Sequence, residues 1–159
     1  MPEIIDGKIY QNIGKFATCN NITTGELIWR RELDGPGSFG GVLISEPDNK
    51  MIISTLSGSK KTYGLDLETG NISWITTTTG NNGQPYALNG VAYFTSNGDG
   101  KLHALDIATG DYIWKIDSPD DSSNNSFRGE LTGIPGKNGE KGRIFTSSFL
   151  NAFCFEAAR

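Results

Sequence analysis

The sequence has little of the chemistry that builds metal centres or disulfide frameworks. Its 159 residues include two cysteines, Cys19 and Cys154, and one histidine, His103. The cysteines lie near opposite ends of the chain, and no Cys-x-x-Cys motif or Cys/His cluster occurs. A structural zinc site and a disulfide-rich scaffold are therefore both excluded, and so is a histidine-rich metal centre.

Long apolar runs and an excess of basic residues are also missing. No segment approaches the roughly 18 apolar residues of a membrane span, so we expect no transmembrane segment. The formal net charge is −4, and because nucleic-acid binding depends largely on basic surface, we expect no nucleic-acid partner. The first residues lack the basic start and apolar stretch of a signal peptide. The protein is thus cytoplasmic, unless a leader lies outside this chain.

The composition is that of a folded domain with many turns. Hydrophobic residues make up 36% of the chain, charged residues 20%, and glycine occurs 21 times. This balance is typical of a globular rather than a disordered chain. The length suits a single domain with a core of its own.

One short phrase occurs three times along the chain. It reads CNNITTGELIW in residues 19–29, GLDLETGNISW in residues 64–74 and ALDIATGDYIW in residues 104–114. The final tryptophans recur at intervals of about 40 to 45 residues, a period typical of propellers and solenoids. The sequence therefore predicts a repeat architecture.

Each period reads as a succession of short strands joined by tight turns. In residues 84–117, apolar and aromatic residues alternate with smaller ones, and Asn-Gly and Asp-Gly pairs stand where two-residue hairpins need positive φ. No segment keeps helical periodicity long enough for a crossover helix. We therefore predict an all-β fold of antiparallel meanders with about four strands per repeat.

The Thr-Gly turn inside each phrase has a structural explanation. An Asp or Asn three residues before the Thr accepts hydrogen bonds from turn N–H groups, and the Gly adopts a conformation that strains any residue with a Cβ. The predicted acceptors are Asn21, Asp66 and Asp106, and the glycines are Gly25, Gly70 and Gly110. A small residue precedes each acceptor by two positions, which leaves a slot that a tryptophan ring can fill.

The pattern Ala-x-Asp-x-x-Thr-Gly-x-x-x-Trp resembles the tryptophan-docking motif of PQQ-type β-propeller repeats. Residues 104–114 match every defining position; residues 64–74 differ at the first, and residues 19–29 at the first and third. The resemblance implies that each Trp packs on the small residue of its own motif and on the Gly of the next blade. Trp29 would then meet Gly70, and Trp74 would meet Gly110.

The resemblance divides the chain into four blades, at about residues 1–35, 36–80, 81–118 and 126–159. In the best register for the fourth, Cys154 takes the small slot, Glu156 the Asp position and Arg159 the Thr position, and a register shifted by two residues also fits. On the best register, the last strand with its Trp is lacking. Trp114 is left without a docking Gly. Three arrangements fit: a segment of a larger ring of the eight-bladed type, a half-ring completed by a second copy or a partner, or four blades that close on themselves.

Two functions follow from the family, which includes bacterial outer-membrane assembly scaffolds and quinoprotein dehydrogenases. The first is a non-catalytic scaffold that binds a protein or an extended ligand through its rim or channel, with no cofactor. The alternative is a fragment of a dehydrogenase that uses PQQ with calcium. The scaffold is preferred because adjacent cysteines are absent and no residue matches the catalytic Asp or the calcium ligands. The resemblance also implies a periplasmic or extracellular location if a leader lies outside the chain.

A few residues remain as candidates for contacts beyond the docking motif. Arg128 and Glu130 stand where the innermost strand of the fourth blade begins, so they could face a central channel and are the candidates for contact with a ligand or partner. The alternative is an ordinary ion pair at the entry of the strand. His103 is expected to be a packed or surface residue without an acidic partner. Cys19 and Cys154 are expected to be small apolar fillers in equivalent slots rather than reactive thiols.

Overall fold

In a computed structural model, the described part of the chain contains fifteen β-strands. The structure describes residues 2–56, 60–80, 83–96, 98–120, 126–127 and 129–159, and these residues contain no helix. All strand pairs are antiparallel, and neighbouring strands follow one another in chain order. The strands therefore form four consecutive meanders, which we number sheets 1 to 4.

Sheets 1 to 3 each have four strands and sheet 4 has three. Sheet 1 contains β1 Glu3–Ile5, β2 Lys8–Ile13, β3 Phe16–Asn21 and β4 Leu27–Glu32. Sheet 2 contains β5 Gly37–Ser45, β6 Lys50–Thr55, β7 Lys61–Asp66 and β8 Ile72–Thr77. Sheet 3 contains β9 Tyr86–Leu88, β10 Val91–Thr95, β11 Leu102–Asp106 and β12 Tyr112–Ile116. Sheet 4 contains β13 Thr132–Ile134, β14 Arg143–Ser147 and β15 Ala152–Glu156.

The first hairpins of sheets 1 and 3 close through pairs of residues with positive φ. Asp6 and Gly7 have φ of 47° and 71°, and Asn89 and Gly90 have φ of 51° and 72°. Two successive left-handed residues match the right-handed twist of the strands they connect, which is why Asp-Gly and Asn-Gly occur there. These turns set the register that brings each apolar face toward the neighbouring sheet.

The core consists of three apolar clusters, each between two successive sheets. Tyr10 and Trp29 of sheet 1 pack with Met51 and Leu65 of sheet 2. Trp74 packs with residues of sheet 3 that include Phe94, Leu105 and Ile107. The third cluster joins sheet 3 to sheet 4. Burial is thus divided among interfaces between blades, as in a propeller, and the predicted all-β fold with an incomplete last blade is confirmed.

Sheets 1 and 4 are the first and last of the series. Among the described residues, no apolar cluster joins sheet 1 to sheet 4. The outward face of sheet 1 exposes Ile13 and Leu27, and the outward face of sheet 4 exposes Ile134 and Phe145.

Candidate binding surfaces

The indole ring of Trp29 joins sheet 1 to the Thr-Gly turn of sheet 2. Its Nε1 donates a hydrogen bond to the Leu67 carbonyl oxygen at 2.9 Å. A Cβ built on Gly70 would lie 2.5 Å from the ring, so only glycine permits this approach. Gly70 also has φ of +65°, in the left-handed region. The turn therefore needs glycine for both backbone conformation and ring contact.

Trp74 repeats this arrangement between sheets 2 and 3. Its Nε1 donates to the Ile107 carbonyl oxygen at 2.9 Å, and a Cβ on Gly110 would lie 2.5 Å from the ring. The same ring covers Gly64 of its own sheet so closely that a Cβ there would collide with it. Each indole thus fills the slot above one small residue and reaches the turn of the next sheet.

The acidic and amide residues of the turns act as caps. Asn21 Oδ1 accepts from the Thr23 and Thr24 N–H groups at 2.8 and 2.9 Å. Asp66 and Asp106 accept from the Thr69 and Thr109 N–H groups, each at 2.9 Å. Burial opposes ionisation of Asp66, but hydrogen bonds from Thr69 outweigh it and lower the pKa of this carboxyl. These carboxylates are engaged in holding the turns.

Gly25 and Trp114 lie at the two ends of this series. Gly25 has φ of +73°, like the other two turn glycines, yet a Cβ built on it would meet nothing within 4 Å. No aromatic ring therefore packs against Gly25 as Trp29 and Trp74 pack against the other two turn glycines. Trp114 is half-buried and packs against Tyr93, with 5.7 Å between ring centroids. It belongs to the cluster between sheets 3 and 4.

A shallow groove of about 420 Å³ opens between β5 of sheet 2, the start of β9 in sheet 3 and the residues that precede β13 in sheet 4. We call it the inner-rim groove, and its lining residues are Leu43, Gln84, Pro85, Tyr86, Ala87, Glu130 and Leu131. The Tyr86 hydroxyl donates to the Gly133 carbonyl oxygen at 2.9 Å, which fixes one wall. Gln84 Nε2 donates to Glu3 Oε1 at 2.9 Å, so sheet 1 also reaches this region.

The structure places one of the two predicted contact residues at this groove. Glu130 is exposed and lies on the groove wall. Arg128 lies outside the described residues. The floor beside Glu130 is apolar, since Leu43, Ala87 and Leu131 contribute to it. The inner-rim groove therefore combines an apolar surface with one exposed carboxylate.

The expectation that His103 has no acidic partner is wrong. The ring is fully buried, and its Nε2 lies 3.0 Å from Asp99 Oδ1 while its Nδ1 lies 2.9 Å from the Tyr112 hydroxyl. Because a carboxylate only accepts, Nε2–H donates to Asp99 and the neutral ring accepts from Tyr112. Phe94 stacks on the ring at 5.0 Å. The feature of the sequence that could have predicted this contact is the four-residue spacing of Asp99 and His103 across a tight turn.

Burial sets the protonation of this network. It lowers the pKa of His103, although the hydrogen bond to Asp99 opposes the change. Burial also raises the pKa of Tyr112 to about 12, so its hydroxyl stays protonated at neutral pH. A neutral imidazole beside a protonated phenol is suited to holding β11 and β12 together, not to generating a nucleophile.

The two cysteines occupy equivalent registers but different environments. Cys19 is buried, and burial raises the pKa of its thiol. Cys154 is exposed, in contrast to the expected buried filler, because among the described residues no strand follows β15 in sheet 4. Both thiols are free.

Across the described part of the chain, no group of three or more His, Cys, Asp or Glu side chains comes together in a way that could hold a metal ion. In the same part of the chain, no helix is long and apolar enough to cross a membrane.

Comparison with known proteins identifies proteins that resemble this chain. The sequence model of the family described as outer membrane protein assembly factor BamB matches residues 12–159. BamB from Moraxella catarrhalis is 22% identical, with a TM-score of 0.68 over 94% of this chain and 46% of that chain. Quinohemoprotein alcohol dehydrogenase ADHIIG from Pseudomonas putida HK5 is 16% identical, with a TM-score of 0.65 over 91% of this chain and 28% of that chain.

A designed protein gives a similar match. The computationally designed Ika4 is 10% identical, with a TM-score of 0.67 over 98% of this chain and 88% of that chain. At these identities, the solved structures show a shared fold alone. The chain spans less than half the length of the two natural relatives. The search of curated proteins found no significant match.

Proposed function

Because the chain belongs to the family described as outer membrane protein assembly factor BamB, we propose that it is a non-catalytic β-propeller module that binds a protein partner. The inner-rim groove is the binding site in this proposal. The observation that carries it is the pairing of an apolar floor with the exposed carboxylate of Glu130.

The chemistry of the groove favours an extended peptide segment as its ligand. Apolar contact with Leu43 and Leu131 contributes the hydrophobic part of binding. Glu130 adds a charge that a Lys or Arg of the partner complements, and such charge pairs select partners and speed association.

The shared fold with a quinohemoprotein dehydrogenase gives the alternative, a part of a PQQ-dependent oxidoreductase. In the described residues, turn capping engages Asp66 and Asp106, and the network of β11 and β12 engages His103. The binding function is preferred because these groups already have structural partners.

Selection from a phage-displayed library of random 12-residue peptides tests the proposal. Peptides that are enriched on the wild-type chain should contain apolar residues together with Lys or Arg. Synthetic copies should bind at least tenfold more weakly to Glu130→Lys and to Leu131→Asp. The matched control is Glu68→Lys, which reverses an exposed charge on a turn away from the groove. Enriched peptides that bind all these variants equally would overturn the assignment of the groove.

A further inference from the structure

A second groove lies between sheets 2 and 3, at the end of β9 opposite the inner-rim groove. Its volume is about 450 Å³. We call it the turn-side groove, because the β5–β6 turn and the β9–β10 turn form two of its walls. Apolar side chains of both sheets line it, including Ile44, Ala87, Leu88 and Ile107.

The turn-side groove continues the inner-rim groove along β9. Ala87 lines both grooves. On β5, Leu43 lines the inner-rim groove and the next residue, Ile44, lines the turn-side groove. We call the two together the combined groove. Because an extended chain rises about 3.3 Å per residue, the stretch from Gln84 to Asn89 along it spans up to about 17 Å.

Carboxylates stand at both ends of the combined groove. At the inner-rim end, Glu130 is exposed, and Glu3 lies nearby because its Oε1 accepts a hydrogen bond from Gln84. At the turn-side end, Glu46 is exposed and Asp48 is half-buried. The described residues that line the two grooves include no Lys or Arg. The combined groove therefore has an apolar middle and two acidic ends.

The acidic side chains at the two ends form no ion pair with a described residue. The ion pairs of the described residues include none of Glu46, Asp48 and Glu130. Ser45 Oγ donates to Asp48 Oδ2 at 2.6 Å, and Lys50 Nζ donates to the backbone carbonyl oxygen of Asp48 at 3.3 Å, not to its carboxylate. A cationic group of a ligand can therefore pair with these carboxylates without displacing a Lys or Arg of the chain.

The two turns that wall the turn-side groove are held by the Thr-Gly turns of their own sheets. Asn49 Nδ2 donates to Asp66 Oδ2 at 2.8 Å. The Ile107 N–H donates to the Gly90 carbonyl oxygen at 2.9 Å. A ligand therefore meets walls that are already in place, which lowers the entropy cost of binding.

We propose that the combined groove binds one extended segment of a partner protein, with two basic residues about five or six positions apart and apolar residues between them. One basic residue pairs with Glu130 and the other with Glu46, while the apolar residues pack on Leu43 and Ala87. This inference rests on the proposed protein-binding function, and it adds the length of the bound segment and a second charge contact.

The spacing of the two charges is tested with two peptides of one composition. Fluorescein-labelled, C-terminally amidated KALALAK places its lysines six positions apart, about 20 Å in an extended chain. It should bind the wild-type chain saturably in fluorescence anisotropy. The peptide KKALALA, with both lysines at one end, should bind at least tenfold more weakly. Equal binding of the two peptides would overturn a site with two acidic ends.

Charge reversal at each end tests the assigned residues. Glu46→Lys and Glu130→Lys should each weaken KALALAK binding at least tenfold. The matched control is Glu26→Lys, which makes the same charge change at an exposed residue of sheet 1 outside the groove. Circular dichroism checks that each variant is folded. A loss in Glu26→Lys as large as that in Glu46→Lys would overturn the site, because net charge alone would then explain binding.

Exchange of charge between groove and peptide tests the pairing directly. The peptides KALALAE and EALALAK each carry a carboxylate at one end. One of them should bind Glu46→Lys more tightly than KALALAK does, and the other should do so for Glu130→Lys. This result would also give the direction of the segment. Rescue of both variants by the same peptide, or of neither by any, contradicts the two-ended pairing.

The outcomes separate this proposal from the inner-rim proposal. If the peptides selected on the inner-rim groove depend on Glu130, and neither they nor KALALAK depend on Glu46, the two-ended segment is overturned and the proposed function stands. If no peptide depends on either residue, both proposals fall. A dimer in sedimentation that excludes KALALAK also overturns the two-ended segment, because a second copy of the chain then occupies the groove.

Discussion

The indole ring of Trp29 packs on Gly70 of the next sheet, so closely that a Cβ at position 70 would lie 2.5 Å from it. The same turn conformation occurs at Gly25, where a Cβ would meet nothing within 4 Å. The two glycines have φ of +65° and +73°. Equivalent substitutions at Gly25 and Gly70 therefore separate the free-energy cost of backbone strain from the cost of contact with the ring.

Gly70→Ala should destabilise the chain more than Gly25→Ala. Both place a Cβ in the left-handed region, which costs about 1 to 2 kcal/mol. Gly70→Ala adds a collision with a buried ring, and overpacking of this kind costs about 1 to 3 kcal/mol more. Urea unfolding monitored by circular dichroism measures the difference. Equal losses for the two variants would show that the ring contact contributes nothing.

Replacing Trp74 with Phe should remove a hydrogen bond that the aromatic surface alone cannot replace. The Ile107 carbonyl oxygen loses the Nε1–H donor, and an unsatisfied buried acceptor costs about 1 to 3 kcal/mol. Trp114→Phe is the comparison, because Trp114 is half-buried at the end of the series. We expect the first variant to lower the free energy of unfolding more than the second. The reverse order in urea titrations would contradict the assignment.

The stability of the chain should fall as the pH drops below the ordinary His pKa of 6.5. Burial lowers the pKa of His103 in the folded state, so the unfolded chain binds the proton first and stability rises with pH in this window. Lys101 and Lys115 face the same ring and also disfavour its charged form. One proton limits the slope to about 1.4 kcal/mol per pH unit.

His103→Gln should flatten this dependence between pH 7.5 and pH 5. The lowered pKa of Asp99 acts in a different window, since its stabilising charge is lost only as the pH falls through the acidic range. Free energies of unfolding at four pH values measure both effects. An unchanged slope in the variant would mean that His103 is not the titrating group.

The thiols should differ in reactivity in the folded chain. Cys154 is exposed and should react rapidly with Ellman's reagent, whereas Cys19 is buried with a raised pKa and should react only after unfolding. The assay should release one equivalent of thiolate under native conditions and two in urea. Loss of the rapid phase in Cys154→Ser identifies the residue, and rapid release of two equivalents without urea contradicts the burial of Cys19.

Periodic features of the sequence predict the fold, whereas contacts between turns and strands are visible only in the folded structure. The spacing of Trp29, Trp74 and Trp114 and the Asp-Gly and Asn-Gly turns are local signals with direct physical meaning. The sequence does not predict the contacts of Asp99 and Tyr112 with His103, because these contacts depend on how a tight turn and a neighbouring strand place the three side chains.

The inner-rim groove was only partly predictable for a similar reason. Glu130 was identified from its position before the last blade's first strand, but the apolar floor comes from Leu43 and Ala87, in two other sheets. No local pattern marks residues that meet only after three blades pack. The exposure of Cys154 follows from the three-stranded form of sheet 4 among the described residues, a property of the assembled sheet.

Absorbance titration of the folded chain with PQQ in the presence and absence of calcium tests the central claim, a binding module without a cofactor, most directly. We expect no saturable change in the quinone spectrum. A groove-selected peptide should bind the same sample, and it should bind the Glu130→Lys variant at least tenfold more weakly. Calcium-dependent binding of PQQ at one equivalent per chain would contradict this account and establish the oxidoreductase.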